Sequence, residues 1–176
     1  MVDLTPLLAF RWSPRAFDPD AVLTDDEAAS LLEAARWAPS AGNGQPWRFA
    51  LGHRHDETWK RLLVSLPDRD QHWARHACAL VLGAHTGGDP ERSAYDLGQA
   101  MAHLTVQATA LGLHAHQLAG FDRAALRADL DLPPEVHPLV VTAVGRLGDP
   151  FALPEELCRR ETALRRRHPL EALLLS

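Results

Sequence analysis

Arg36-Trp37-Ala38-Pro39-Ser40-Ala41-Gly42-Asn43-Gly44-Gln45-Pro46-Trp47-Arg48-Phe49 joins an amphipathic helix to a short apolar strand through a loop of small and polar residues. Pro39 disfavours the α conformation at Ala38 and has no N–H of its own, so the helix is expected to end there. Gly42 and Gly44 then let the backbone approach another surface closely. Ser40, Asn43 and Gln45 add donors and acceptors, and Trp47 offers a flat apolar wall. That mixture suits a planar heterocycle edged with carbonyls and ring nitrogens. An ordinary turn stapled by a buried tryptophan fits the same residues.

Upstream, Thr24-Asp25-Asp26-Glu27 has capping-box spacing, with acids in the first turn where they complement the helix dipole. Ala28, Leu31, Leu32, Ala35 and Ala38 recur at three- and four-residue steps and predict one buried stripe that delivers the chain to the loop. Before this helix, residues 3–9 read as a short helix. It leads into Arg11-Trp12-Ser13-Pro14-Arg15-Ala16-Phe17, which Pro14 keeps from being helical. In an extended arm alternate side chains share a side, so Arg11, Ser13 and Arg15 are candidates to converge on one anion or a row of acceptors. A solvated basic arm is the other reading.

Downstream, the pattern predicts a strand at 47–52, a helix at 57–65, a weaker helical turn at 70–76 and an apolar strand from Cys78 to Ala84. After the loop Thr86-Gly87-Gly88-Asp89-Pro90 comes a long helix from about Glu91 to Leu111, rich in alanine and nearly uncharged after Asp96. A helix apolar nearly all round is buried either as the centre of a core or against a copy of itself. Gly112 ends it, His114 to Leu118 read as a strand, and Asp122 is placed to cap a helix at 123–130. Leu139 to Gly145 form an apolar, β-branched strand of central type, followed by a last helix at 154–164. Pro169 to Leu175 make an apolar tail that no nearby element covers, which suggests pairing with another subunit.

The chain has 176 residues, 46% hydrophobic and 23% charged, the composition of one ordinary globular domain. Its apolar runs are too short to cross a bilayer, and its start lacks a basic region followed by an apolar core, so a cytoplasmic protein is expected. Cys78 and Cys158 are expected as free thiols. A net charge of −5 argues against a general nucleic-acid binder and leaves the clusters Arg159-Arg160 and Arg165-Arg166-Arg167 to be explained locally. Arg165 and Arg167, two apart before Pro169, share a side in an extended segment, while a solvated helix end is the alternative. Ten histidines include His72/His76, His53/His55 and His114/His116, yet no His-Glu-x-x-His motif or cysteine pair accompanies them. No G-x-S-x-G, Rossmann or P-loop fingerprint occurs either, so a nucleotide-like cofactor must be held by other means.

Four motifs, in this order and spacing, resemble the FMN-dependent nitroreductase family: Arg11 to Phe17, Ala38 to Phe49, Leu118-Ala119-Gly120-Phe121-Asp122, and Arg165-Arg166-Arg167-His168-Pro169-Leu170. The resemblance runs nearly end to end, and the Pro39 to Trp47 loop is its most specific part. It implies an α+β fold with a mixed, antiparallel-rich sheet surrounded by helices. It also implies an intertwined homodimer, residues 1–176 forming one FMN-binding domain whose tail reaches the partner subunit. By the same resemblance Arg11, Trp12, Ser13 and Arg15 would contact the flavin, Arg165 and Arg167 its phosphate. Pro39, Ser40 and Asn43 would come from the other subunit's loop, and the Leu118, Ala119, Gly120 turn would offer a backbone N–H to flavin N5. Asp68 to Gln71 fall where members reach the flavin pyrimidine, and the sequence does not single one out. No catalytic side chain and no metal is implied; NADH or NADPH would be the electron donor and a small nitroaromatic or quinone the acceptor. The short connection from Ala84 to Glu91 lacks the insertion that many members carry. That departure leaves room for a flavin-storing module, and the family's range leaves room for an enone reductase or a dehalogenase.

Overall fold

Four antiparallel strands form one sheet in the order β1-β2-β4-β3: β1 Trp47–His53, β2 Ala79–His85, β3 His114–Leu118 and β4 His137–Gly145. The computed structural model describes residues 3–175; residues 1, 2 and 176, the extremes of the expected domain, lie outside the described residues. Alternation along β2 explains the layers. Ala79 and Val81 face α2 (Asp25–Arg36) and α5 (Pro90–Ala110), while Leu80 and Leu82 face α3 (Glu57–Val64), α4 (Asp68–Ala74) and α6 (Arg123–Asp129). With both faces covered, β2 is buried at every position, which is why it and β4 read as continuous apolar runs.

The caps that the sequence announces are in place. Thr24 Oγ1 accepts from Glu27 N while a Glu27 carboxylate oxygen accepts from Thr24 N, and Asp122 accepts from Ala124 N and Ala125 N. The expected stripe of α2 is buried at Ala28, Leu31 and Ala35, with Ala38 beyond its end and Leu32 at the margin. The first helix is shorter than expected, α1 being Pro6–Ala9, because Pro6 sets its first turn. The last, α7, spans Glu155–Glu161 and stops short of residue 164, with the Thr162 hydroxyl donating back to Cys158 O. Gly112 at φ +68 terminates α5.

Burial of α5 departs from a helix apolar all round. Leu97, Ala100, Met101, Leu104 and Ala108 enter the core, whereas Tyr95, Gly98, Ala102 and His103 are exposed. Gly98 and Ala102 leave a shallow stretch on that exposed face between the larger Tyr95 and His103, and a Cβ on Gly98 would meet no atom within 4 Å. The tail is likewise uncovered within the chain: Leu170, Leu173, Leu174 and Leu175 are all exposed.

Candidate functional site

The arm that follows α1 runs beside β3, the edge strand that pairs with β4 alone among the described residues. Arg11 Nη1 donates to Ser13 Oγ at 3.2 Å, and both residues line a cleft of about 430 Å³ with Ala102 and Thr105 of α5 and Ala115 and Gln117 of β3. Gln117 is fixed there by Nε2 donating to Thr105 Oγ1 at 3.0 Å. Trp12 points instead toward His114, edge to face at 6.4 Å. Alternation thus holds from Arg11 to Ser13.

At Arg15 the expected convergence fails. Its guanidinium lies 5.9 Å from the Trp73 ring centroid and lines a different cavity, with Phe17, Trp73 and Leu157. The cause is the buried Pro14 and a tether beyond it. Glu161 Oε1 accepts from Arg15 N at 2.7 Å and Ala16 N at 3.0 Å, which turns the arm out of simple alternation. Gly148 N donates to Ala16 O and Asp18 N to Arg146 O, carrying the arm across the end of β4.

The C-terminal arginines meet the arm from the other side. Arg165 donates through Nη1 to Arg11 O and through Nη2 to Ala9 O. Arg167 Nη1 donates to Arg166 O at 2.8 Å. Burial first, then the charges of Arg167 and Arg165, pull the Arg11 guanidinium below its ordinary pKa. Among the described residues no carboxylate forms an ion pair with any of the three. A cluster of like charges without a counter-charge is the arrangement expected where an anion is to be held.

Leu118 is buried at the end of β3, while Ala119 and Gly120 are exposed just past it, and a Cβ on Gly120 would meet nothing within 4 Å. Packing within this chain therefore does not require a glycine there, and close approach of another body would. The loop of Pro39, Ser40 and Asn43 is built separately. Ala41 N donates to Asp96 Oδ2 at 3.1 Å, Ser40 Oγ accepts from Gln45 N, and Asn43 and Gln45 sit at φ +56 and +46. Pro39 and Asn43 are exposed, and the loop is tied to the N-terminal part of α5 while Ala102 and Thr105 line the Arg11 cleft further along it. Trp47 is no wall of this loop: it is 6% exposed and packs in the core, and the exposed ring is Trp37, held by Nε1 donating to Glu33 Oε1. In the 68–71 segment Asp70 accepts from Trp73 Nε1 and Gln71 donates to Leu66 O, so these two are engaged locally while Asp68 and Arg69 are exposed.

Three contributors were not foreseen. Gln117 faces the cleft from a strand whose alternation could have indicated it. Asp96 and Glu161, buried acids on helices, carry no local sequence signal.

Fold and site define a class: an α+β protein with both sheet faces covered and an arginine cluster that has no carboxylate partner among the described residues. The chain belongs to the nitroreductase family, whose model matches residues 8–72 and 53–146. It is similar to a solved oxidoreductase containing FMN, with a TM-score of 0.90 and 33% identity over 99% of this chain and 91% of that one. It is 37% identical over 136 residues to a 15.4 kDa protein of the ask 5′ region of Mycolicibacterium smegmatis, covering 70% of this chain and 91% of that protein. A shorter match, 38% over 50 residues (28% of this chain, 23% of the relative), is to the oxygen-insensitive NAD(P)H nitroreductase of Salmonella typhimurium.

Proposed function

We propose that the chain is an FMN-dependent oxidoreductase that passes hydride from NADH or NADPH to a small electron-poor acceptor, a nitroaromatic or a quinone. The observation that carries this reading is the gathering of Arg11, Arg165 and Arg167 on one arm with no carboxylate to neutralise them among the described residues. A phosphate monoester supplies that charge and matches the forked donors of guanidinium groups. In this reading Arg165 and Arg167 hold the phosphate, with Arg11 and the Ser13 hydroxyl toward the ribityl chain. The backbone at Leu118, Ala119 and Gly120 would lie against the ring and Trp12 would border it, while Arg15, turned to the neighbouring cavity beside Trp73, would reach the flavin only by swinging its side chain back. When bound, the flavin would supply the hydride chemistry. The residues of this chain supply position and charge, and no side-chain acid is assigned a role. The FMN of the solved relative and the NAD(P)H of the Salmonella relative support the choice of cofactor and donor.

The connection between β2 and α5 is short, from Thr86 to Asp89, so no insertion from it roofs the cleft. That feature motivates a second reading, a flavin-storing module with little turnover. The two separate in one experiment: after anaerobic reduction with NAD(P)H, rapid reoxidation by a panel of nitroaromatics and quinones excludes storage, and failure of every acceptor excludes the enzyme. No helix among the described residues is long and apolar enough to cross a membrane, and a cytoplasmic protein with Cys78 and Cys158 as free thiols is the reading adopted.

Assembly as a homodimer is part of the proposal, with Pro39, Ser40 and Asn43 supplied by the second copy and the tail reaching across to it. Its support is the exposed face of α5 with Tyr95, Gly98 and Ala102, the apolar tail, and the exposed Leu7, Leu8, Phe10 and Trp37 near a cavity of about 600 Å³ between α1, α2 and α5. Glycine inside a helix costs about 0.5–1 kcal/mol relative to alanine, and Gly98 has no neighbour within this chain to justify it. Gly98→Leu is therefore expected to leave the fold intact by circular dichroism and yet to sediment as a monomer with weakened FMN binding. A Gly98→Leu variant as dimeric as the wild type would remove α5 from the interface.

A further inference from the structure

Four backbone polar groups, belonging to three successive peptide units of the arm, are held by two side chains far away in the sequence. His116 Nδ1 lies 3.0 Å from Ser13 O and 3.0 Å from Pro14 O. Glu161 Oε1 receives the next two amides, Arg15 N at 2.7 Å and Ala16 N at 3.0 Å. Two carbonyls converging on one ring nitrogen require that nitrogen to carry hydrogen, so the neutral ring is protonated at Nδ1. Burial, then the charge of Arg15, lowers the His116 pKa and favours that neutral form. The ring packs at 4.7 Å on Trp73, which is buried and cannot yield, and Glu161 is 6% exposed. Pro14 denies this stretch a strand ladder, and apart from these four contacts the backbone from Ser13 to Ala16 is held, among the described residues, only by Gly148 N donating to Ala16 O at its far end.

We propose that His116 and Glu161 are positioning residues for the cofactor: together they fix the arm so that Arg11 and Ser13 point into the cleft beside β3. The inference rests on the FMN reading. It adds that the C-terminal segment acts on the site twice, through Arg165 and, earlier, through Glu161, which never touches the cofactor. Both side chains work by hydrogen bonding through one atom, and that makes the proposal separable from general packing.

The experiment measures equilibrium dissociation of FMN by flavin fluorescence on variants with native circular dichroism. His116→Phe keeps a ring against Trp73 but no donor; His116→Asn keeps an N–H near the Nδ1 position; His116→Gln places its amide nearer Nε2. Glu161→Gln keeps an acceptor oxygen and Glu161→Ala does not. His116→Phe, His116→Gln and Glu161→Ala are expected to weaken FMN at least about tenfold, and His116→Asn and Glu161→Gln to return within about threefold of wild type. Hydrogen exchange at the Arg15 and Ala16 amides is expected to quicken in Glu161→Ala and to remain slow in Glu161→Gln. A purely structural role would lower melting temperatures without this pattern in FMN affinity. Wild type that binds FMN alongside donor-free variants that bind it equally would overturn this inference alone; wild type that binds no FMN would overturn the functional reading and this inference with it.

Discussion

Arg167→Ala is expected to weaken FMN roughly ten- to a hundredfold, since a charge-assisted contact contributes about 1.5–3 kcal/mol. Riboflavin, which lacks the phosphate, is expected to bind wild type and Arg167→Ala about equally. Arg165→Ala should behave differently from its neighbour. Arg165 also donates to Ala9 O and Arg11 O, so its removal loosens the arm and is expected to reduce riboflavin binding as well as FMN binding. Arg166, whose side chain has no partner among the described residues and whose carbonyl accepts from Arg167, is the control, and Arg166→Ala should change neither flavin. Titrating the three variants with both flavins decides the assignment. Unchanged FMN affinity in Arg165→Ala and Arg167→Ala would return the cluster to a solvated basic segment.

The second large effect concerns stability. Gly52 of β1 lies under the first turn of α3, where an added Cβ would stand 2.2 Å from Trp59 N, 2.6 Å from Trp59 Cα and 2.8 Å from Thr58 C. All three are backbone atoms, so relief requires moving the helix. Asp56 resists that movement, because its Oδ1 accepts from Trp59 N at 2.7 Å while its Oδ2 accepts from His53 N at 2.8 Å, joining strand end to helix start. Overpacking by about 1–3 kcal/mol together with a damaged cap of about 0.5–2 kcal/mol predicts a loss of about 3 kcal/mol for Gly52→Ala. The corresponding fall in melting temperature is about 6–12 °C for a chain of this size. Gly120→Ala, with open space around the new methyl, is expected to leave the melting temperature unchanged. Equal melting behaviour of the two variants would contradict the close packing of β1 on α3.

Where sequence patterns were strong, they located elements closely. The capping box at Thr24, the apolar run of β2 and the β3 strand with its Asp122 cap are local signals, each decided by residues within a turn or two of one another. Alternation also put Arg11 and Ser13 in one cleft. It failed at Arg15 because the determinant, Glu161, is 146 residues away and acts on the backbone amide rather than the side chain. Of the two readings open for Trp47, a ligand wall and a buried staple, the structure shows the second: its side of β1 faces the α2 and α5 layer, which local neighbours could not decide. The histidine pair 114/116 invited thoughts of metal, whereas the structure uses His116 to hold carbonyls and packs His114 against Trp12. Hydrophobicity alone could not show that α5 is covered on one face only, since alanine and glycine serve a core and an open face equally well.

The account stands most directly on the absorption spectrum of the purified protein supplied with FMN, freed of excess cofactor and then treated with NADH or NADPH under nitrogen. It predicts a retained flavin band that one of the two nicotinamides bleaches and that a nitroaromatic or quinone restores. A protein that leaves the column colourless after FMN has been added would contradict it.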